Sequence, residues 1–128
     1  MSTIEQSIYN EVFISYSRKN VDFARKIVDA IYADGRKNVW IDWEDIEYAE
    51  DWWQKIQQGI DSAENFLFIL TPDSARSQIC YDEVAYAVSS GKRIIPLSYI
   101  QITQAEDFEK IHPAISQHNW LPFDQEAN

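Results

Sequence analysis

The glutamate at position 83 stands in a helical pattern among residues that a fold would bury. In the stretch SQICYDEVAYA, residues 77–87, positions three and four away from this glutamate share its helix face. Those neighbours are Ile79, Cys80, Tyr86 and Ala87. A solvent-exposed helix glutamate is the commoner case, but the apolar neighbours favour a carboxylate held at a protected position, where it could stabilise a developing positive charge.

Other polar residues offer weaker chemistry. The segment DWEDIEYAED, residues 42–51, carries six acids in ten residues, but it lacks the alternating oxygen ligands and central glycine of an EF-hand. We interpret this segment mainly as a solvated loop whose last acids interact favourably with the dipole at the N-terminus of the next helix. A role in partner contacts is the alternative. Arg18 could bind a phosphate through its guanidinium or could simply be solvated. His112, His118 and Cys80 lack zinc spacing, so the sequence predicts no metal site.

Several familiar catalytic and nucleotide-binding motifs are missing. Glycine occurs only at positions 35, 59 and 91, so neither GxGxxG nor GxxxxGK[ST] can be written, and no GxSxG elbow is present. A phosphoacceptor receiver domain needs an acidic cluster after its first strand, where this chain has Tyr16, Ser17 and Arg18. These observations exclude a conventional dinucleotide fold, a P-loop and a receiver domain, and they leave a serine catalytic triad unsupported.

Strand and helix patterns alternate along the chain. Short apolar or β-branched runs predict five strands, at 12–15, 39–41, 66–70, 93–97 and 120–123. Stretches of helical period predict helices at 21–33, 52–62 and 77–89, with a short helix near 105–111 in otherwise irregular chain. Gly35 and Gly91 are placed as the residues that follow a helix C-terminus.

This alternation predicts an α/β fold, a flavodoxin-like three-layer sandwich with a five-stranded, mostly parallel sheet covered by helices on both faces. Ligands bind such sheets at the carboxyl ends of the strands. The loops at 16–20, 42–51 and 71–77 follow the first three strands, so we expect them to converge at that edge. The third loop leads into the helix that carries Glu83.

Composition predicts a single globular domain. The 128 residues are 45% hydrophobic and carry a net charge of −10, which would repel a nucleic acid backbone. The lone cysteine cannot form an internal disulfide, the first residues lack a secretory signal pattern, and the longest apolar run, FLFIL, is far too short to span a bilayer. We therefore expect a cytoplasmic protein without membrane or nucleic acid partners.

The motifs, taken in order, resemble the TIR domain family, the Toll/interleukin-1 receptor and resistance protein family, in its prokaryotic-type NAD-cleaving form. EVFISYSRKN resembles the family's opening strand and turn, and VWIDWEDI resembles its second strand running into the loop called BB. The order continues through TPDSARS, SQICYDE, GKRIIPL and NWLPF. We expect an N-terminal extension at 1–10, the TIR domain at 11–124 and a C-terminal tail at 125–128.

The resemblance implies an activity and a site. Enzymatic TIR domains cleave nicotinamide from NAD+ and carry a glutamate in the third helix; the family's S..C..E pattern falls on Ser77, Cys80 and Glu83. Glu83 is then the catalytic residue, with NAD+ as substrate and no cofactor. The implied substrate-binding residues are Tyr16, Ser17, Arg18, Trp52 and Ser77. The implied interaction residues of the BB loop are Asp42, Trp43, Ile46 and Ala49.

Two of these assignments have a structural alternative, and two residues depart from the family pattern. Ser77 would also serve as a helix N-cap, and Cys80 is expected to support packing. Enzymatic members often have tryptophan where this chain has Ile79, and the BB loop commonly has glycine where this chain has Ala49. These departures bear on one stacking surface and on the conformation of the loop.

Two functions from different classes follow. The first is a TIR-type NAD+ nucleosidase, activated by self-association in immune-type signalling, that releases nicotinamide and ADP-ribose or a cyclic ADP-ribose. One carboxylate suffices for this reaction because nicotinamide leaves as a neutral molecule and needs no general acid, unlike the leaving group of an ordinary glycoside. The alternative is a non-enzymatic adaptor or scaffold that binds other TIR domains.

Overall fold

The computed structural model describes residues 10–35, 38–41, 52–117 and 121–122. Its centre is a parallel sheet of five strands in the order β2-β1-β3-β4-β5. The strands are β1 Asn10–Ser15, β2 Val39–Trp40, β3 Ala63–Leu70, β4 Arg93–Ser98 and β5 Leu121–Pro122. The predicted five-stranded sheet is therefore confirmed, and its order reverses direction between β1 and β3.

Six helices connect or flank these strands in the described part of the chain. They are α1 Val21–Ala33, α2 Trp52–Asp61, α3 Pro72–Ala75, α4 Gln78–Ser89, α5 Ala105–Lys110 and α6 Pro113–Ser116. A single 3-10 turn, Arg18–Asn20, precedes α1. The predicted helices agree with α1, α2, α4 and α5 to within one residue at either end.

Two short helices lie where the sequence pattern predicts loop or irregular chain. Thr71 begins α3 with a reciprocal pair of bonds: its hydroxyl accepts from the backbone N–H of Ser74, and the Ser74 hydroxyl accepts from the N–H of Thr71. In α6, the imidazole of His112 accepts from the N–H of Ala114. Each helix has proline at its first position, where the missing N–H costs nothing. Local caps, rather than an apolar period, create these helices.

β3 starts earlier than the apolar run predicts. Ala63 pairs with Asn10 and Asn65 pairs with Val12, so polar residues before Phe66 are drawn into the ladder by β1. The side chain of Asn65 also donates to the carbonyl of Glu11 at 3.1 Å. Pairing with a neighbouring strand extends β3 where its own hydrophobicity does not.

The two faces of the sheet carry separate parts of the core. On one face, Val12 and Ile14 of β1 pack with the buried side of α1. On the other, Phe13 packs with residues of α2 and α4. Because side chains alternate along a strand, Ser15 shares the face of Phe13 and is directed toward α4. The three-layer arrangement is confirmed.

Within the described ranges, every helix is too short or too polar to cross a bilayer.

Candidate active site

Glu83 lies in the second turn of α4, a helix whose start and buried side are both fixed. Ser77 is the N-cap, and its hydroxyl accepts from the N–H of Cys80 at 3.1 Å. Val84 and Ala87 anchor the helix in the core below the sheet. Glu83 is only 7% exposed, so the interpretation as an ordinary solvent-exposed helix glutamate does not hold.

The carboxylate of Glu83 is oriented by β1. The hydroxyl of Ser15 donates to Oε1 of Glu83 at 2.7 Å, and both side chains are buried. A short hydroxyl–carboxylate bond satisfies part of the acceptor capacity of the buried group and restricts its rotation. Sequence reasoning did not single out Ser15. The signal that could have found it is the alternation in VFIS, which places this serine on the face of Phe13 and hence on the side of the sheet where α4 packs.

A cavity of about 240 Å³ opens beside Glu83 at the carboxyl end of β1. It is bounded by β1 and the turn that follows it, by β2, and by the N-terminal turns of α2 and α4. Its lining residues are Phe13, Ile14, Tyr16, Ser17, Arg18, Lys19, Trp40, Trp52, Ile56, Ser77, Ile79, Cys80 and Glu83. This is the edge where parallel α/β sheets bind ligands, next to the reversal of strand order.

The site residues that the sequence predicts, where the structure describes them, all line this one cavity. Tyr16, Ser17, Arg18, Trp52 and Ser77 line it together with Cys80 and Glu83. Their roles toward a substrate stay predictions. The predicted BB-loop residues Asp42, Trp43, Ile46 and Ala49 lie outside the described residues. Lys19 and the apolar residues Phe13, Ile14, Trp40 and Ile56 line the cavity and were not predicted.

Ser77 is both a helix N-cap and a residue of the cavity wall. It caps α4 through the N–H of Cys80, and it also lines the cavity. The cap explains why the helix begins where it does, and hence why Glu83, two turns from Ser77, reaches the edge of the sheet.

Cys80 is a packing residue with a neutral thiol. It is 2% exposed and belongs to the core cluster between the sheet, α2 and α4. Burial, followed by the nearby negative charge of Glu83, raises the pKa of Cys80 to about 12. A thiol in this state is a poor nucleophile, so the chemistry of the cavity does not depend on a thiolate.

The two described loops at the cavity edge are bonded to each other through Asn20. Its side-chain oxygen accepts from the hydroxyl of Thr71 at 2.8 Å, and its amide nitrogen donates to Asp73 at 3.5 Å. Asn20 occupies the N-cap position of α1 but makes no side-chain cap bond there. A residue type that usually caps a helix is used here to tie the β1–α1 turn to α3.

A second contact holds the turn between α3 and α4. Arg76 donates from Nε and Nη2 to the two carboxylate oxygens of Asp107 at 2.9 and 3.0 Å. This bidentate bond is the first cause of a lowered pKa at Asp107 and of a raised pKa at Arg76. Because Arg76 precedes Ser77 in the chain, the pair connects α5 to the start of the helix that carries Glu83.

Among the residues that the structure describes, no three His, Cys, Asp or Glu side chains lie together so as to hold a metal ion.

A sequence model of one family, described as TIR domain, matches residues 12–128. The chain belongs to the TIR domain family. A comparison with curated protein sequences found no match.

Solved TIR structures share the fold at low sequence identity. The TIR domain of the Toll-related receptor TRR-2 from Hydra magnipapillata superposes with a TM-score of 0.70 at 15% identity, covering 91% of this chain and 86% of that one. A TIR-STING receptor from C. gigas in complex with 2',3'-cGAMP gives 0.67 at 17% identity, over 90% of this chain and 35% of that one. The TIR domains of the activated Roq1 resistosome give 0.63 at 13% identity, over 84% and 68%.

Proposed function

We propose that this TIR domain is an NAD+ glycohydrolase with Glu83 as its catalytic residue. In the reaction the C1′–N1 bond to nicotinamide breaks, and its electron pair leaves with the pyridine nitrogen. The oxygen of water bonds to C1′ and a proton passes to solvent, giving nicotinamide and ADP-ribose. If a nucleophilic group on the adenosine half attacks instead of water, the product is a cyclic ADP-ribose.

The observation that carries this proposal is the burial of Glu83 at the ligand edge of the sheet. As the bond breaks, positive charge moves from the pyridine ring onto the ribose. A carboxylate beside the ribose stabilises that charge, and it does so more strongly where water is excluded. Glu83 is 7% exposed, lines the cavity and is oriented by Ser15 at 2.7 Å.

The charges around the cavity also support a dinucleotide substrate. The chain as a whole carries a net charge of −10, yet Arg18 and Lys19 follow one another along the cavity wall. Two cations at the opening would attract a pyrophosphate that the rest of the surface repels. In this arrangement the pyrophosphate lies at the β1–α1 turn and the reacting ribose lies at Glu83.

The size of the cavity supports a role for self-association. At about 240 Å³ it falls below the roughly 300–1,000 Å³ typical of sites that bury a drug-sized ligand. It suits the nicotinamide and ribose half of the dinucleotide better than the whole. We include in the proposal that the adenosine half is covered when TIR domains assemble in the cytosol, so that assembly increases turnover.

Nicotinamide release from NAD+ tests the proposal. The domain is assayed dilute and clustered on a solid support, beside Glu83→Gln and Glu83→Ala. We expect turnover by the clustered protein and a loss of about a hundredfold or more in both variants, the usual magnitude for removing one electrostatic stabiliser of a transition state. Turnover equal in all three proteins would contradict it.

A scaffold function is the second candidate, and one observation favours it. Two apolar side chains of α4, Tyr81 and Val88, are about two-fifths exposed, and because they are seven residues apart they lie on the same face of the helix. Exposed apolar groups on one helix are typical of a protein contact surface. If Tyr81→Glu abolishes self-association while wild-type protein fails to cleave NAD+ in the associated state, the scaffold function is the correct one.

A further inference from the structure

One wall of the cavity is apolar and contiguous. On α2, positions 52, 56 and 59 are separated by four and three residues and therefore share one face. Trp52 and Ile56 from that face line the cavity, and Gly59 lies directly against the indole of Trp40 on β2. Trp40 in turn stacks on Phe13 of β1. These side chains form one wall, built from two strands and a helix.

Trp40 has little freedom to move within this wall. Its ring lies parallel to that of Phe13, with centroids 4.7 Å apart and planes 9° apart. Phe13 is backed by Phe66, whose centroid lies 5.4 Å away at an interplanar angle of 7°. On α2, a methyl group added at Gly59 would lie 2.6 Å from Cε2 and 2.7 Å from Cδ2 of Trp40. The indole position therefore requires both the aromatic rings in the sheet and the glycine in the helix.

We propose that Trp40, fixed by Phe13 and Gly59, is a specificity-determining residue that limits the base in the cavity to a single substituted pyridine ring. The inference rests on the proposed function and names which part of the substrate the apolar wall contacts. Because core-like packing leaves no free volume behind Trp40, the wall cannot move to accommodate a larger base.

The test compares the binding of two dinucleotides, NAD+ and an analogue in which 3-benzoylpyridine replaces nicotinamide. Titration calorimetry on the full chain with Glu83→Gln measures both affinities without turnover. We expect Trp40→Leu to reduce the preference for NAD+ over the analogue by about tenfold, the lower part of the range for steric discrimination in an apolar pocket. Trp40→Phe, a smaller change in the core, is expected to shift the preference in the same direction.

A matched control is Trp53→Leu. Trp53 is the neighbour of Trp52 on α2 and packs against the core and Tyr86, but it is not among the residues that line the cavity. The same loss of side chain at this position should leave the preference unchanged. An unchanged preference in both Trp40 variants, or an equal change in Trp53→Leu, would overturn the inference.

Gly59→Ala tests separately whether Gly59 fixes the position of the Trp40 indole. Alanine favours a helix over glycine, so the substitution helps α2 while it pushes the indole out of place. We expect NAD+ affinity to fall about tenfold and to recover in the double variant with Trp40→Leu, where the clash is removed. Unchanged affinity in Gly59→Ala would refute the fixed position of Trp40.

The outcomes also separate this inference from the proposed function. Binding of NAD+ without turnover by the clustered wild-type protein would overturn the nucleosidase activity and leave the selectivity measurement intact. A failure of the Glu83→Gln chain and of the wild-type chain to bind NAD+ would overturn both.

Discussion

Ser15→Ala removes the hydroxyl that orients the candidate catalytic carboxylate. In the folded protein this hydroxyl donates to Oε1 of Glu83 at 2.7 Å, and the two side chains are 1% and 7% exposed. The substitution deletes one oxygen atom and leaves the strand and helix backbones unchanged. Glu83 then loses a donor in a place where water replaces it poorly.

The expected cost follows from the charge and burial of the pair. Hydrogen bonds to charged groups contribute about 1.5–3 kcal/mol to stability, and the short distance and low exposure place this one within that range, at about 2 kcal/mol. In a domain of 128 residues such a loss lowers the melting temperature by about 7 °C. Because the carboxylate is no longer held in one orientation, we expect NAD+ turnover to fall by about tenfold or more.

Urea unfolding of four proteins measures the bond itself: wild type, Ser15→Ala, Glu83→Ala, which removes the acceptor, and the double variant. The coupling free energy from this cycle should exceed about 1 kcal/mol. Ser89→Ala is the control, because its hydroxyl donates at 2.9 Å to a neutral carbonyl, that of Tyr86, and its loss should leave turnover unchanged. A coupling near zero, or equal turnover losses in Ser15→Ala and Ser89→Ala, would refute the positioning role of Ser15.

Three further substitutions test the supports of the site. In the folded protein the amide nitrogen of Asn20 lies 3.5 Å from the carboxylate of Asp73. Asn20→Asp replaces this contact with two neighbouring negative charges and should increase hydrogen exchange in residues 71–77. Unchanged exchange would show that Asn20 does not hold the loops together. Burial raises the pKa of Cys80 to about 12, so above about pH 9 this thiol ionises in the unfolded chain and stays neutral in the folded one. The stability advantage of wild type over Cys80→Ala should therefore shrink by about 1.4 kcal/mol per pH unit. A difference in stability that stays constant with pH would contradict the buried thiol. Arg76 lowers the pKa of Asp107 from its usual 3.8, so the stability that the ion pair adds should be present above about pH 4 and lost in stronger acid. The urea midpoints of wild type and Asp107→Asn should therefore converge in acid. A difference between the two midpoints that persists in acid would count against the pair.

The sheet and the longer helices could be predicted because their signals are local. FLFIL is a short apolar run typical of a strand buried on both faces, and Val21–Ala33 shows a helical period that matches α1 throughout. Gly35 and Gly91 have positive φ angles of 94° and 73°, as their placement after helices requires. Topology followed because parallel strands and crossovers obey few rules.

The short helices and the start of β3 could not be predicted from periodicity. α3 depends on the reciprocal bonds of Thr71 and Ser74, and four residues are too few to show a period. The early start of β3 depends on pairing with β1, a contact between residues more than fifty positions apart. Such contacts are decided by the tertiary structure rather than by local preference.

The candidate site also has one part that could be predicted from the sequence and one part that depends on tertiary contacts. Its polar residues follow strands and could be placed at one edge from strand order alone. Ser15 and Trp40 were missed because each looks like an ordinary strand residue, and only their contacts with Glu83 and with Gly59 give them a place in the site. Gly59 has no turn to explain it in the sequence; the close approach of an indole ring explains it in the fold.

The most direct test of the central claim is to measure binding and turnover of NAD+ together in wild type and Glu83→Gln, both clustered. The glutamine has nearly the shape of the glutamate but carries no charge, so it separates holding the substrate from stabilising the transition state. We expect dissociation constants within about threefold of each other and a turnover lower by about a hundredfold or more in the variant. Equal turnover at equal occupancy would contradict a catalytic role for Glu83.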